Sequence, residues 1–218
     1  RTQFVNDNFS NLEKISDTTF NNPVMGILIG LGLASWHFKS ANRGFSFSDE
    51  SNLDMRLNPN QSESASYIVN NYSQSDLSNL IYKYGEEPKA RRIASSIVES
   101  RPLQTASQLA DAVQKVTPRR GRRIHPATRT FQAIRIAVND EIEALRAALE
   151  QARDVLAEGG RLVTRAYHSL EDRGIKRFIT DGDLTSRAKR VIRPSKEEVS
   201  TNPRSRSAKL RIAERGSA

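Results

Sequence analysis

A short apolar run near the N-terminal end limits the folds open to this chain. Met25–Leu33 contains only apolar residues and glycines. A strand that is apolar on both sides is typical of a parallel strand whose two faces are covered. We therefore predict a buried strand followed by a tight, glycine-containing loop. Extended to Val24 and Ala34, the run has 11 residues, whereas a membrane-spanning helix needs about 20.

The second half of the chain combines a long amphipathic segment with a second strand. From Pro126 to about Ala157, apolar residues recur at spacings of three and four, which predicts one long helix. Gly159–Gly160 predicts the end of that helix, and Arg161–Tyr167 predicts a strand. A further helix is predicted over Glu171–Ile179, so this half resembles part of an α/β unit.

The region between the two strands is predicted to be helical. Ser62–Val116 shows helical periodicity, with one helix ending at Gly85. Thr105 and Gln108 fit a capping box at the start of another helix. Residues 35–61 show no periodicity and predict a long ordered loop. Near the C-terminal end, residues 208–213 are predicted to form a late edge strand.

These elements predict an α/β fold interrupted by a helical subdomain. We place the discontinuous core at residues 1–57 and 136–218. The helical insert then covers residues 58–135, and we predict that it recognises the substrate.

The composition excludes several classes of site. The 218 residues include 34 Lys and Arg against 25 Asp and Glu, a net charge of +9. There is no cysteine, which rules out disulfides, thiol nucleophiles, iron–sulfur clusters and cysteine-bound zinc. His37, His125 and His168 are too far apart in the sequence to predict a metal site. The basic excess favours a polyanionic partner, most commonly a nucleic acid.

The N-terminal end shows neither a secretory signal nor a starting methionine, since the first residue is Arg1. The sequence is thus compatible with a fragment, a processed product or a partial version of a longer chain, and we expect no membrane partner.

Ten short motifs occur in the order found in one enzyme family. They cover nearly the whole sequence and together are highly specific, although each alone is weak. The motifs are 43–47, 53–56, 84–87, 90–94, 125–133, 135–139, 159–162, 168–173, 176–178 and 202–215. On these motifs the chain resembles the bacterial small-subunit rRNA (cytosine-N4)-methyltransferases, the RsmH or MraW family.

The resemblance implies a fold, a cofactor and a substrate. The fold would be a Rossmann-like methyltransferase core with an inserted helical domain, incomplete at its N-terminus. The cofactor would be S-adenosyl-L-methionine (SAM), and the substrate a cytosine in the decoding region of 16S-type rRNA. The partner would be small-subunit rRNA or the ribosomal subunit, in the cytoplasm or, alternatively, in a mitochondrion or plastid.

The chain departs from the family pattern at several positions. The N-terminal part that holds the glycine-rich SAM loop and an acidic residue is lacking. Gly30 stands where members have an aspartate, and His37 stands where they have a glutamine. Before His168, the residues Arg165–Tyr167 replace a more apolar, Ser-Phe type sequence.

The cytosine amino group is a poor nucleophile, so the reaction needs a group that accepts its proton. The resemblance places that group at position 30, where Gly30 offers only backbone. Asp54 is a candidate substitute, although a carboxylate in a loop more commonly stabilises turns. His168 and Ser169 directly follow a strand, at the edge where α/β sheets bind ligands. Glu171 and Asp172 are predicted to cap the following helix.

Candidate cofactor-binding residues follow from the resemblance. Phe9 would pack on the adenine of SAM, or it is an ordinary core aromatic. Gly30 and Gly32 would approach the cofactor through their backbone. His37 would contact the cofactor, or it is a loop histidine with an internal hydrogen bond.

Candidate RNA-binding residues are basic or polar. They are Arg119, Arg120, Arg122, Arg123, Arg129 and Asn139. A solvated helix position is the alternative for Asn139. From Lys176 to Arg215 there are 12 basic and five acidic residues, which favours phosphate contact. A solvated or disordered tail is the alternative for 195–207.

Two functional hypotheses remain open. The first is methyl transfer from SAM to a small-subunit rRNA cytosine. The second is a catalytically impaired RNA- or ribosome-binding remnant, or a fragment, of the same family.

Overall fold

The computed structural model of the protein describes residues 2–33, 43–47, 50–118, 124–182 and 184–216. It contains two compact units. The first is discontinuous and comprises residues 1–32 and 142–218, and the second comprises residues 33–141.

The first unit is built on a four-stranded mixed sheet. The strands are β1 (Val24–Gly30), β2 (Leu156–Ala166), β3 (Leu184–Ser186) and β4 (Lys209–Arg215). Their spatial order is β1-β2-β4-β3. β1 and β2 are parallel, and β4 is antiparallel to both β2 and β3. The α/β class is therefore confirmed.

Two predictions about the strands are wrong. Gly159–Gly160 do not end a helix, because β2 already begins at Leu156. Gly159 instead adopts a positive φ of 72° where the pairing of β1 with β2 is irregular, a backbone conformation that favours glycine. The late strand is also not an edge strand, since β4 lies between β2 and β3.

Helices cover one face of this sheet. They are α1 (Leu12–Thr19), α7 (Glu141–Val155) and α8 (Ser169–Asp181). Leu149 and Ile175 from these helices pack in one cluster with Ile29 and Leu162 from the strands. A short helix, α9 (Lys196–Thr201), and a 3₁₀ turn, Pro203–Ser207, precede β4.

The strand β1 is buried on one face only, which corrects the prediction of a strand covered on both faces. Ile29 is 7% exposed, whereas Leu28 is 73% exposed. Successive side chains of a strand point to opposite faces. The face that presents Leu28 is therefore open at this strand.

The predicted single helix over Pro126–Ala157 is in fact two helices. α6 (Thr128–Asn139) is separated from α7 by Asp140, which has a positive φ of 50°. Asn and Asp adopt this left-handed conformation more readily than most residues. The apolar periodicity continues across Asp140, so the sequence pattern did not reveal the break between the two helices.

The second unit is helical in the residues that the structure describes. Its other helices are α2 (Ala65–Asn71), α3 (Gln74–Gly85), α4 (Ala90–Glu99) and α5 (Ala106–Val116). The predicted helix end at Gly85 is confirmed. The capping box is confirmed as well, with Thr105 and Gln108 each bonded to the other's backbone N–H.

The compact units divide the chain at other positions than the predicted boundaries. Phe45, Leu53 and Met55 belong to the core of the helical unit, together with Phe131 and Ile134 of α6. The unit therefore includes part of the long loop and all of α6. That this unit recognises the substrate stays a prediction.

Candidate functional site

The carboxyl ends of β1 and β2 lie side by side within the first unit. Gly30 pairs with Arg165 in the register of the two strands. The Leu31 N–H extends the pairing by donating a hydrogen bond of 3.0 Å to the Arg165 carbonyl. In open α/β sheets, ligands bind at this edge of parallel strands. The residues that follow the two strands are therefore the candidate site.

Two glycines leave room for side chains of the neighbouring strand. A Cβ atom at Gly30 would lie 3.3 Å from Nη2 of Arg165. A Cβ atom at Gly32 would lie 2.9 Å from Cδ2 of Tyr167, and Gly32 has a φ of +92°. The backbone conformation and this close contact both favour glycine at position 32. The Arg165 guanidinium lies 5.4 Å from the centroid of the Tyr167 ring.

His168 and Glu171 fix the start of α8. The Glu171 N–H donates to Nδ1 of His168 at 3.4 Å, and the Glu171 carboxylate accepts from the N–H groups of Tyr167 and His168 at 2.8 and 3.2 Å. The predicted capping role of Glu171 is thereby confirmed. The His168 side chain is only 10% exposed, and its Nε2 lies 3.0 Å from Oε1 of Glu171 without the geometry of a hydrogen bond.

The Glu171 carboxyl is held in its charged form. Burial by itself raises the pKa of this group, but the His168 imidazole and the two backbone N–H groups outweigh burial. Their combined effect keeps the pKa of Glu171 below its ordinary value. This carboxylate therefore serves the helix cap and is already occupied by its hydrogen bonds.

Asp172 has a different role from the predicted cap. Its carboxylate accepts from Nζ of Lys209 at 2.9 Å and from Nε of Arg211 at 2.8 Å. Both cations are on β4, so Asp172 ties α8 to the centre of the sheet. Burial raises the pKa of Asp172, but the two cations lower it by more than burial raises it. The pKa of Asp172 is therefore below its ordinary value.

The structure brings together four of the predicted site residues. Gly30, Gly32, His168 and Ser169 all lie at the ends of β1 and β2. Phe9 is in the same unit, in a 3₁₀ turn over Phe9–Asn11, and is 39% exposed. Its predicted contact with the cofactor adenine stays a prediction.

The other described candidates lie in the helical unit and hold loops in place. The Asp54 carboxylate accepts from the Arg56 side chain at 2.6 Å and from its N–H at 3.2 Å. The Asn139 amide donates to the carbonyls of Met55 and Arg135 and accepts from the Leu57 N–H. A catalytic role for Asp54 and an RNA contact for Asn139 stay untested predictions.

Arg129 leaves more of its side chain open than these two residues. Its Nη1 donates to the Glu86 carbonyl at 3.0 Å and lies 3.7 Å from Oε2 of Glu87. The side chain is 55% exposed. His37, Arg119, Arg120, Arg122 and Arg123 lie outside the described residues.

Sequence reasoning assigned no role to Arg165 or Tyr167. The signal was present, because both residues depart from the apolar pattern expected before His168. Their position over Gly30 and Gly32 depends on the register of β1 with β2, which the sequence does not specify.

Comparison with known proteins identifies the family. Residues 1–216 match the model of the MraW methylase family. Proteins named ribosomal RNA small subunit methyltransferase H are 50% identical in Dehalococcoides mccartyi, 49% in Synechococcus elongatus and 47% in Nostoc punctiforme. The matches cover 97%, 99% and 99% of this chain, but only 66%, 72% and 72% of the respective relatives.

The chain thus spans about two thirds of the length of these relatives. Among the described residues, no helix is both long enough and apolar enough to cross a bilayer. The family match covers both compact units, and it confirms the resemblance seen in the ten motifs. The chain belongs to the MraW methylase family.

Proposed function

We propose that this protein acts in SAM-dependent N4-methylation of a cytosine in small-subunit rRNA. The observation that supports this best is the identity of about half of all residues with small-subunit rRNA methyltransferases over nearly the whole chain. Such identity covers both compact units rather than one motif. The small ribosomal subunit or its RNA is then the partner, and the cytoplasm of a bacterium the expected location.

The fold agrees with a Rossmann-like methyltransferase core that is interrupted by a helical domain. The chain leaves the sheet-containing unit after Gly32 and returns to it at Ile142. β1 precedes the helical unit in the sequence and β2 follows it, and the two strands are adjacent and parallel. An inserted domain requires this arrangement, in which the helical unit lies in the sequence between two strands that pair with each other.

The RNA part of the proposal is supported by charge. Basic residues exceed acidic ones by seven between Lys176 and Arg215. Several cations of this region are exposed, namely Lys176, Arg177, Lys189, Arg190 and Arg193. Exposed cations release counterions when they meet phosphates, which makes binding favourable and dependent on salt.

The described residues at the strand ends do not by themselves fit SAM. A SAM site needs an acceptor for the ribose hydroxyls and an environment compatible with the positive sulfonium. Here the nearest charged group to Gly30 is the Arg165 guanidinium. Glu171, an acid at this edge, is buried and bonded within the helix cap. These residues by themselves therefore do not account for methyl transfer.

This mismatch favours a second candidate function, an RNA-binding protein of the family that does not transfer methyl groups. Gly30 offers only its backbone as a proton acceptor for the cytosine amino group. A cation beside that position also disfavours the positive charge that develops on the amino nitrogen.

Two measurements separate the candidates. Calorimetric titration with SAM tests the cofactor site, and incorporation of a labelled methyl group into small-subunit RNA tests turnover. Methylation predicts incorporation that disappears when the target cytosine is replaced by uracil. RNA binding without incorporation and without SAM binding would contradict the enzyme and support the second candidate.

A further inference from the structure

We propose that Arg165 binds an oxyanion at the open end of the β1–β2 pair. The oxyanion is a phosphodiester group of the RNA, since the described residues at these strand ends do not fit SAM. The proposal rests on the proposed function, because it assumes that the chain binds small-subunit RNA.

The two strands are built so that the Arg165 side chain lies across β1. Gly30, its partner in the register, has no side chain, and Nη2 of Arg165 lies 3.3 Å from where a Cβ would be. A side chain at position 30 would require the end of the Arg165 side chain to shift by a few tenths of an ångström. The absence of a side chain at Gly30 therefore leaves the guanidinium room to lie over the end of β1.

The Tyr167 ring orients the Arg165 guanidinium and leaves the guanidinium N–H donors available. The guanidinium carbon is 5.4 Å from the ring centroid, within the range of a cation–π contact. The ring itself is packed against Gly32, where a Cβ would be 2.9 Å from Cδ2. A planar guanidinium carries several N–H donors in a fixed fork, which suits a phosphate or carboxylate.

Among the described residues, Arg165 differs from Arg161, Lys209 and Arg211 of the sheet in having no acidic partner. Arg161, four residues earlier on the same strand and face, pairs with Glu214 at 3.1 Å. Lys209 and Arg211 pair with Asp172. Among the residues that the structure describes, no carboxylate pairs with Arg165, and its side chain is exposed. An external anion would therefore meet a cation that is not already neutralised.

The surroundings combine the cation with an exposed apolar side chain. Arg165 lies at the carboxyl end of two parallel strands, the edge where α/β sheets bind ligands. On the same face of β1, two residues before Gly30, Leu28 is 73% exposed. A cation beside an open apolar side chain can hold an anionic group while the apolar surface contacts a sugar or a base.

The test compares two variants of the full chain with matched loss of charge. In Arg165→Gln the unpaired cation is removed, and in Arg161→Gln a cation that already pairs with Glu214 is removed. Each variant is titrated with a short single-stranded oligoribonucleotide of the decoding-region sequence at several salt concentrations, and separately with SAM. Both side chains are exposed, and circular dichroism checks that both variants fold.

If the oxyanion is an RNA phosphate, Arg165→Gln weakens RNA binding about tenfold at low salt. It also lowers the slope of log affinity against log salt by about 0.7, as expected for one lost contact to a single strand. Arg161→Gln changes both quantities less. Arg165→Lys keeps the charge and restores part of the affinity, since it loses only the forked geometry.

Weaker SAM binding by Arg165→Gln with an unchanged RNA slope would overturn the proposal, because the cation would then serve the cofactor and not an RNA phosphate. Equal effects of the two variants, or no effect of Arg165→Gln on either ligand, would overturn the proposal. An unaltered chain that binds neither ligand would overturn the proposed function as well. Binding by the unaltered chain that Arg165→Gln does not change would overturn this inference alone.

Discussion

At the scale of single residues, two departures from the family pattern, at positions 30 and 165, act on each other. The resemblance implies an aspartate there, and the chain has Gly30. The neighbouring strand presents Arg165 where an apolar residue is expected. The guanidinium lies 3.3 Å from the Cβ position of Gly30, so a carboxylate introduced at this site would form an ion pair with it. Restoring the acid alone therefore does not restore a free proton acceptor.

We expect Gly30→Asp to give little gain in methyl transfer by itself. The double variant Gly30→Asp with Arg165→Ile should give more, on the order of 10²-fold over the single variant, because the carboxylate is then unpaired. Incorporation of labelled methyl into small-subunit RNA measures both. Arg165→Ile alone is the control for removal of the cation. Equal incorporation by the single and double variants would show that the ion pair does not form.

At the scale of elements, local chemistry predicted helix starts better than helix continuity. The capping boxes at Thr105 and at Glu171 depend on residues three positions apart, and both form. The break at Asp140 depends on one residue in a left-handed conformation, which leaves the apolar period unchanged. The position of β4 in the middle of the sheet depends on pairing between distant segments. None of these pairings is encoded in a local pattern.

The cap of α8 should make stability depend on pH. The pKa of Glu171 is lowered in the folded protein from an ordinary value of 4.5, through the balance of burial, the His168 imidazole and backbone N–H groups. A lowered pKa means that the stabilisation is complete above about pH 4.5 and is lost as the pH falls through the folded-state pKa. Glu171→Gln should cost about 1–2 kcal/mol at neutral pH.

Urea unfolding at a series of pH values measures this effect. The difference in unfolding free energy between the unaltered chain and Glu171→Gln should shrink as the pH falls below 4.5. Glu197→Gln, at an exposed position on α9, is the matched control for removal of a carboxylate. A difference that stays constant from neutral to acidic pH would show that the charge of Glu171 contributes nothing to the cap.

At the scale of the whole molecule, the sequence predicted the class and the order of segments but not their limits. An apolar strand, a helical block and a return to strand are all present, and the chain leaves and re-enters one unit. The limits differ because Phe45, Leu53 and Met55 pack with the helices. Their burial depends on tertiary contacts rather than on periodicity. The open face at Leu28 was likewise not predictable, because an apolar run does not determine which faces of the strand are buried.

The distribution of charge over the molecule leads to a prediction about RNA binding. Arg119, Arg120, Arg122 and Arg123 form a basic cluster with no acid between them. Each phosphate contact adds about 0.7 to 0.9 to the slope of log affinity against log salt. Replacing all four arginines with alanine should therefore lower the slope by up to about three and weaken binding most at low salt.

The control for this prediction removes arginines whose charge is already paired. Arg146 lies between Glu143 and Glu150, and Arg187 pairs with Glu214. Their replacement by alanine changes the net charge of the molecule but removes no unpaired cation, so the slope should change little. If the control lowers the slope per arginine as much as the cluster variant does, RNA responds to overall charge. A larger decrease per arginine in the cluster variant means that these arginines contact phosphates directly.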